Sequence, residues 1–195
     1  MRDSQRYTAA AITLHWLIAL AIVTLLVAGW WMTDAIHHPE TKATAFKVYQ
    51  LHKSLGLTVL VLSVLRLIWR LVNPPPPLPD GMTRFERIAA HATHGLFYAL
   101  IIAIPLAGWA MVSASPFGLP TIVFGLFEWP HIPVLAGLED KRPVEAVFRN
   151  AHEIMAYGLA ALLVLHVGAA LKHHFVNRDD VLTRMLPFLR ARGRA

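Results

Sequence analysis

The 195-residue chain predicts an all-α integral membrane protein, a four-helix antiparallel bundle, on three observations. Apolar residues make up 56% and charged residues only 15%. Four apolar segments of spanning length occur, about 8–32, 46–72, 86–113 and 147–175, and about 20 such residues cross a bilayer as a helix. The basic residues are also uneven. With the N-terminus cytoplasmic, one side holds Arg2, Arg6, Arg66, Arg70, Arg84, Arg87, Lys172, Arg178, Arg184, Arg190, Arg192 and Arg194. The other holds Lys42, Lys47, Lys53, Lys141, Arg142 and Arg149. Twelve against six places both termini in the cytoplasm by the positive-inside bias. The net charge of +6 is therefore read as topology, with membrane lipid and no nucleic acid as partner. The length is that of a single domain, 1–195.

The first segment begins near Thr8, carries His15 two turns in, and closes on Gly29, Trp30 and Trp31, where indoles suit the interface. It is too long for a signal-peptide core and lacks a clear small-residue cleavage site, so it is expected to be retained. Asp34 to Lys47 reads as a polar loop with His37 and His38. The second segment has His52 near its outer end and Arg66 and Arg70 near its inner end. Asn73 and the prolines at 74–77 and 79 then stop the helix in a stiff extended connector. The third carries His91 and His94 early and Pro105 later, which predicts a kink. Residues 113–145 form the longest connection. Phe117, Phe124, Phe127 and Trp129 make it too apolar for disorder, so it should lie on the outer surface or dip into the interface. After the fourth segment, residues 177–180 could cap a short amphipathic helix running to Leu189.

Chemistry is concentrated in the fourth segment. His152 and His166 stand 14 residues apart, about 21 Å of helical rise and only about 40° of rotation. Both face one side, at two depths, and ionisable side chains at such depth mark functional sites. Antiparallel topology supplies their partners: His15 lies at the inner depth of His166, and His52 at the outer depth of His152. Paired imidazoles across a bundle are what axial ligation of b-type haem requires. Such a centre leaves no open position and passes electrons. A lone intramembrane histidine is more often a helix–helix hydrogen bonder, and zinc or a proton relay are competitors. Four histidines at matched depths without carboxylates beside them favour haem. There is no cysteine, which excludes disulfides, thiolate-bound clusters and covalent c-type haem.

Other polar residues take supporting roles in this scheme. Arg66, 14 residues beyond His52, repeats its azimuth one step inward and suits inner-haem propionates, or snorkels to the interface. Lys53 and Arg149 could act likewise outside. His91 and His94 start an inner-side helix and so compete with His15 and His166, but they rank below ligands because their helix offers no histidine at the outer depth. Contact with propionates, a proton path and a plain interfacial role are the alternatives. His173 and His174 read as interfacial polar residues. Metal binding by His37, His38 or His131 is not favoured. Gly56, Gly95, Gly158 and Gly168 would leave room for flat cofactors or for helix contact.

Taken together, AAITLHW around His15, LHKSLGLTVLVLSVLRLIWR at 51–70 with the prolines after it, ATHGLFYALIIAIPLAGW at 92–109, and AHEIMAYG with LHVGAALKHHF at 151–175 resemble the bacterial cytochrome b561 family. That di-haem, four-helix family is also similar to the cytochrome b subunits of nickel–iron hydrogenases. The resemblance covers almost the whole chain. It implies two non-covalent b haems ligated by His15, His52, His152 and His166, the set the topology selects, and electron exchange with ubiquinone in the bacterial inner membrane. One branch of that family oxidises periplasmic superoxide. The expected function is transmembrane electron transfer between a periplasmic one-electron donor, superoxide being one candidate, and ubiquinone. The alternative is a haem-bearing membrane anchor and electron conduit subunit of a larger redox complex. A non-redox metal transporter is the remaining reading.

Overall fold

Two threonines set where helices begin. Thr8, with extended backbone, accepts the Ala11 amide through Oγ1 at 3.2 Å and starts α1, Ala9–Ala35. Thr83 and Glu86 form a reciprocal capping box, with bonds of 3.2 and 2.9 Å, and start α3, Arg84–Ser113. Each cap satisfies amides that have no partner within the helix. Between them lies α2, Pro39–Val72, which opens on a proline at its first position with Glu40 in the first turn. The computed structural model describes residues 6–186.

The polar loop expected from Asp34 to Lys47 is therefore mostly helix. Only Ile36–His38 connect α1 to α2, and Thr41 Oγ1 donates to the Ala35 carbonyl at 2.7 Å across the corner. Polarity marks where the chain leaves hydrocarbon, not where the helix stops, and Pro39-Glu40-Thr41-Lys42 makes an acceptable first turn. The proline run ends α2 as expected, since it offers no amide hydrogens. Asn73 caps it by donating its amide to the Trp69 carbonyl at 2.8 Å. Helix α3 continues through Pro105.

Residues 113–145 hold structure that hydropathy did not reveal. Strands β1, Thr121–Val123, and β2, Phe127–Trp129, pair antiparallel with Thr121 opposite Trp129 and Val123 opposite Phe127. Their turn has positive φ at both Phe124 (47°) and Gly125 (75°), and the Leu126 amide bonds the Val123 carbonyl at 2.9 Å. Two such residues give the twist of a type I′ turn. A single-turn helix, α4, Pro133–Ala136, precedes α5, Arg142–Lys172. Among the described residues, no amphipathic helix of the kind expected follows residue 177. Residues 173–177 make one π turn, Arg178 is left-handed at φ 54°, and residues 181–185 are turns. Leu189, its expected end, lies outside the described residues.

Four helices are long and apolar enough to cross a membrane, with mean hydropathy of 2.0 to 2.4 in their best windows. Helices α1 and α2, α2 and α3, and α3 and α5 pack as neighbours. The outward faces carry exposed Leu17, Leu20, Val27, Leu65, Leu71 and Val164, the surface that lipid covers. At mid-bundle Ile18, Ile22, Val59, Ile101 and Leu159 are buried against one another. Ile22, Val59, Ile101 and Leu159 each stand seven residues, two turns, from a histidine of their own helix. Seven residues rotate by only about −20°, so this dry layer lies directly between the histidine depths.

Candidate functional site

The bundle has a terminal end, where α1 begins and α5 finishes, and a hairpin end carrying β1–β2. At the hairpin end the rings of His52 (α2) and His152 (α5) have centroids 6.2 Å apart and planes at 62°. At the terminal end His15 (α1) and His166 (α5) stand 6.3 Å apart at 64°. Two imidazoles binding one ion from opposite sides, each at about 2 Å, have ring centres about 6 Å apart. Both pairs thus have the separation that axial ligation of one iron needs. Among the described residues no group of three His, Cys, Asp or Glu side chains is placed to hold a metal ion. A two-histidine site suits a metal whose remaining donors arrive with it, as in haem.

Around the hairpin-end pair the walls are nearly bare. His152 Nδ1 donates to the Ile104 carbonyl at 2.9 Å. A neutral ring bonded this way carries its hydrogen on Nδ1 and leaves Nε2 for a metal, the usual outer-shell arrangement. The same ring lies over Gly108 of α3, where a methyl would meet its Cε1 and Nδ1 at 3.1 Å. His52 sits beside Gly29 of α1 with more room, since a methyl there would meet its Cε1 at an ordinary 3.5 Å. Its Nδ1 is buried and has no partner among the described residues.

The terminal-end pair is crowded and polar. His94 stands 5.8 Å from His166, Phe97 stands 5.1 Å from it, and Trp16 is edge-on to His15 at 5.2 Å. Arg66 donates through Nε to the Tyr98 hydroxyl and through Nη1 to the Ala11 carbonyl, both at 3.2 Å. Arg70 lies 5.5 Å over the Tyr98 ring. Just outside the span, burial pushes the Tyr7 phenol up from its ordinary range, against the nearby charges of Arg70, Arg184 and Arg66, so it stays a neutral hydroxyl. Lys172 pairs with Glu86 at 2.7 Å and ties the end of α5 to the start of α3.

Each end has a cover. The hairpin is bonded to α2 by Gln50 and Lys53, which donate to the Pro120 carbonyl at 3.0 and 2.7 Å. Ser54, 1% exposed, accepts the Phe124 amide at 3.0 Å. Trp109 and Ser113 of α3 hold its far side through the Pro130 carbonyl and the Ile132 amide, both at 2.9 Å. At the terminal end the chain after α5 folds back until the Trp16 indole donates to the Met185 carbonyl at 2.8 Å. Arg184 pairs with Asp180 at 2.9 Å and reaches the Pro77 carbonyl.

The structure therefore brings His15 to His166 and His52 to His152. Arg66 lies at the terminal-end pair, whereas Lys53 is committed to the hairpin and Arg149 to Glu145 at 3.6 Å on the surface. Beside Gly56, Gly95, Gly158 and Gly168 there is open space within 4 Å of an added methyl, so they leave room without touching a ring. The sequence reading put His94 at the inner end, where it lies beside His166, but missed Gly108, the Ile104 carbonyl and the contact of Gly29 with a histidine ring. A signal for two of them was present: Gly29 and Gly108 each precede a tryptophan, late in a helix that runs toward the hairpin end.

A family model described as prokaryotic cytochrome b561 matches residues 6–188. The chain is 35% identical over 184 residues to "Cytochrome b561 homolog 2" of Escherichia coli strain K12, covering 93% of this chain and 92% of that protein. It is 31% identical to "Probable superoxide oxidase CybB" of Yersinia pestis, with coverages of 94% and 97%. It is 28% identical to "Cytochrome b562" of Cereibacter sphaeroides, with coverages of 95% and 98%.

Proposed function

This chain belongs to the prokaryotic cytochrome b561 family, a family of haem b membrane proteins that transfer electrons across the bilayer, and from that premise we propose a two-haem wire. His52 and His152 would hold one haem, and His15 and His166 the other. The observation that carries this reading is the equality of the two pairs, with ring separations of 6.2 and 6.3 Å and interplanar angles of 62° and 64°. When bound, the haems would supply one-electron exchange.

The chain's own residues do the rest. The Ile104 carbonyl leaves the His152 Nε2 free to hold a metal, and Gly108 lets α3 approach that ring. The layer of Ile22, Val59, Ile101 and Leu159 excludes water between depths about 21 Å apart. Arg66, held by Tyr98, would receive the carboxylates of a terminal-end haem.

We place the terminal end in the cytoplasm, from the twelve-to-six asymmetry of basic residues. The hairpin end then meets a periplasmic one-electron donor, and ubiquinone is the other reactant. Six basic residues there, Lys42, Lys47, Lys53, Lys141, Arg142 and Arg149, are offset by Asp34, Glu40, Glu128, Glu139, Asp140, Glu145 and Glu153. That field collects no anions, so superoxide is one donor to test among others. The conduit reading has its own support in the hairpin end's exposed apolar residues, Phe117 at 81%, Leu126 at 79% and Val134 at 78%. That apolar rim suits either lipid headgroups or a partner subunit.

The test is a purified, dithionite-reduced preparation in an anaerobic cuvette. Two six-coordinate low-spin haems per chain and rapid reoxidation by a short-chain ubiquinone are expected. One haem per chain refutes the wire. Reoxidation that needs a copurified subunit favours the conduit.

A further inference from the structure

Beyond the terminal-end pair lies a buried polar group that paired ligands do not need. Helix α5 gives way at His173 to a single π turn, and Arg178 follows in the left-handed region at φ 54°. Both departures from regular helix are uncommon and gather at functional places. Their local result is one contact. The chain reverses, the Asp179 amide bonds the His173 carbonyl at 3.2 Å, and Asp179 Oδ2 meets His173 Nδ1 at 2.6 Å. Asn177 Nδ2 flanks that nitrogen at 3.2 Å, and Asp179 Oδ1 accepts the Val181 amide at 3.1 Å. His173 is 7% exposed, far from the solvated interfacial residue expected of this position.

Three features give the dyad a direction. A contact this short to a carboxylate places a hydrogen on Nδ1, so Nε2 is the nitrogen that gains and releases a proton. His173 stands seven residues after His166, about 10 Å farther along α5 and about 20° away in azimuth. It therefore continues the row of His152 and His166 toward the membrane face. The segment that supplies Asp179 goes on to seat Met185 on Trp16, the neighbour of His15. The dyad thus belongs to the floor beneath the terminal-end pair.

We propose that the His173–Asp179 dyad is the proton donor to a quinone reduced at the terminal end. This rests on the quinone reading above and adds to it that the quinone is reduced at the terminal end. The two haems, when bound, would supply one electron each, and one quinone gains those two electrons and two protons to become the quinol. A proton passes from His173 Nε2 to a quinone oxygen, and the ring stays bonded to Asp179 through Nδ1–H. Water at the membrane face reprotonates the ring, and the second proton follows the same route. Asp179 holds the tautomer and faces the charge of the protonated ring, so it acts as a positioning residue.

The experiment compares the holoprotein with His173→Gln and Asp179→Asn in anaerobic stopped flow. Each is reduced and then mixed with short-chain ubiquinone or with ferricyanide, which takes an electron and no proton. Both variants should keep wild-type haem content, spectra and ferricyanide rates. Their ubiquinone rates should fall about tenfold or more, the lower range of what a lost general acid costs, and their solvent deuterium isotope effects should change. Wild-type rates with ubiquinone in both variants overturn the dyad alone. A wild-type protein that ferricyanide oxidises and ubiquinone does not overturns the quinone reading, and the dyad with it.

Discussion

The two histidine pairs share a geometry and differ in nearly everything around it. His52 and His152 face glycines on the neighbouring helices and one backbone carbonyl. His15 and His166 share their end of the bundle with His94, Arg66, Arg70 and Tyr98. The first pair is shaped by the absence of side chains and the second by charge. Ligand geometry sets what a centre can bind, while its surroundings set potential and reactivity. On the two-haem proposal, two near-identical histidine pairs should therefore behave as two different electron carriers.

Removing ligands tests the separateness of the sites and has the largest effect. His152→Ala should lower haem from two to one per chain in a pyridine haemochrome assay and leave the terminal-end spectrum intact, and His15→Ala should do the converse. Loss of all haem from either substitution would break the comparison, since the pairs would then assemble as one unit.

Arg66→Gln comes next. The cation favours the reduced, less positive iron, so its removal should lower the terminal-end midpoint potential. A charge acting through partly polar surroundings gives a shift on the order of 50 mV. Potentiometric titration should show the hairpin-end potential unmoved. A shift shared by both centres, or by neither, would mean that Arg66 does not distinguish them.

The glycine walls sharpen the contrast. A methyl at position 108 would press on the His152 ring at 3.1 Å, whereas one at position 29 meets His52 at an ordinary 3.5 Å. Gly108→Ala should shift the low-spin electron paramagnetic resonance signal of the hairpin-end centre, and Gly29→Ala should leave it in place. Equal responses would show that the bare walls are not what shapes this pair.

The smallest expected effect concerns the cover. Ser54→Ala removes the acceptor for the Phe124 amide at the strained turn and should cost about 1–3 kcal/mol locally. Hydrogen exchange at Ile122–Phe127 should quicken without any change in either haem spectrum.

Much of this was legible in the chain because the bilayer imposes its own rules. Apolar length reports spans, and a 14-residue spacing on one helix places two histidines on one side at two depths. Antiparallel order then pairs His15 with His166 and His52 with His152 before any coordinate is consulted. Hydropathy is silent once the chain leaves hydrocarbon. It read a loop where Pro39 begins a helix, and it had no signal for the β1–β2 hairpin, whose turn depends on Phe124 adopting positive φ while bonded to Ser54, 70 residues away.

The sequence by itself determined the number of spans, the histidine pairs and their depths, because helical periodicity and chain direction are local properties. Only the tertiary structure decided that Gly108 and the Ile104 carbonyl, rather than Gly158, cradle a ring. It alone decided that His94 packs on His166 itself, that Lys53 serves the hairpin, and that His173 turns inward to Asp179. Each of these depends on how far one helix is rotated and shifted against its neighbour. That angle is set by the packing of small and large side chains across all the interfaces together.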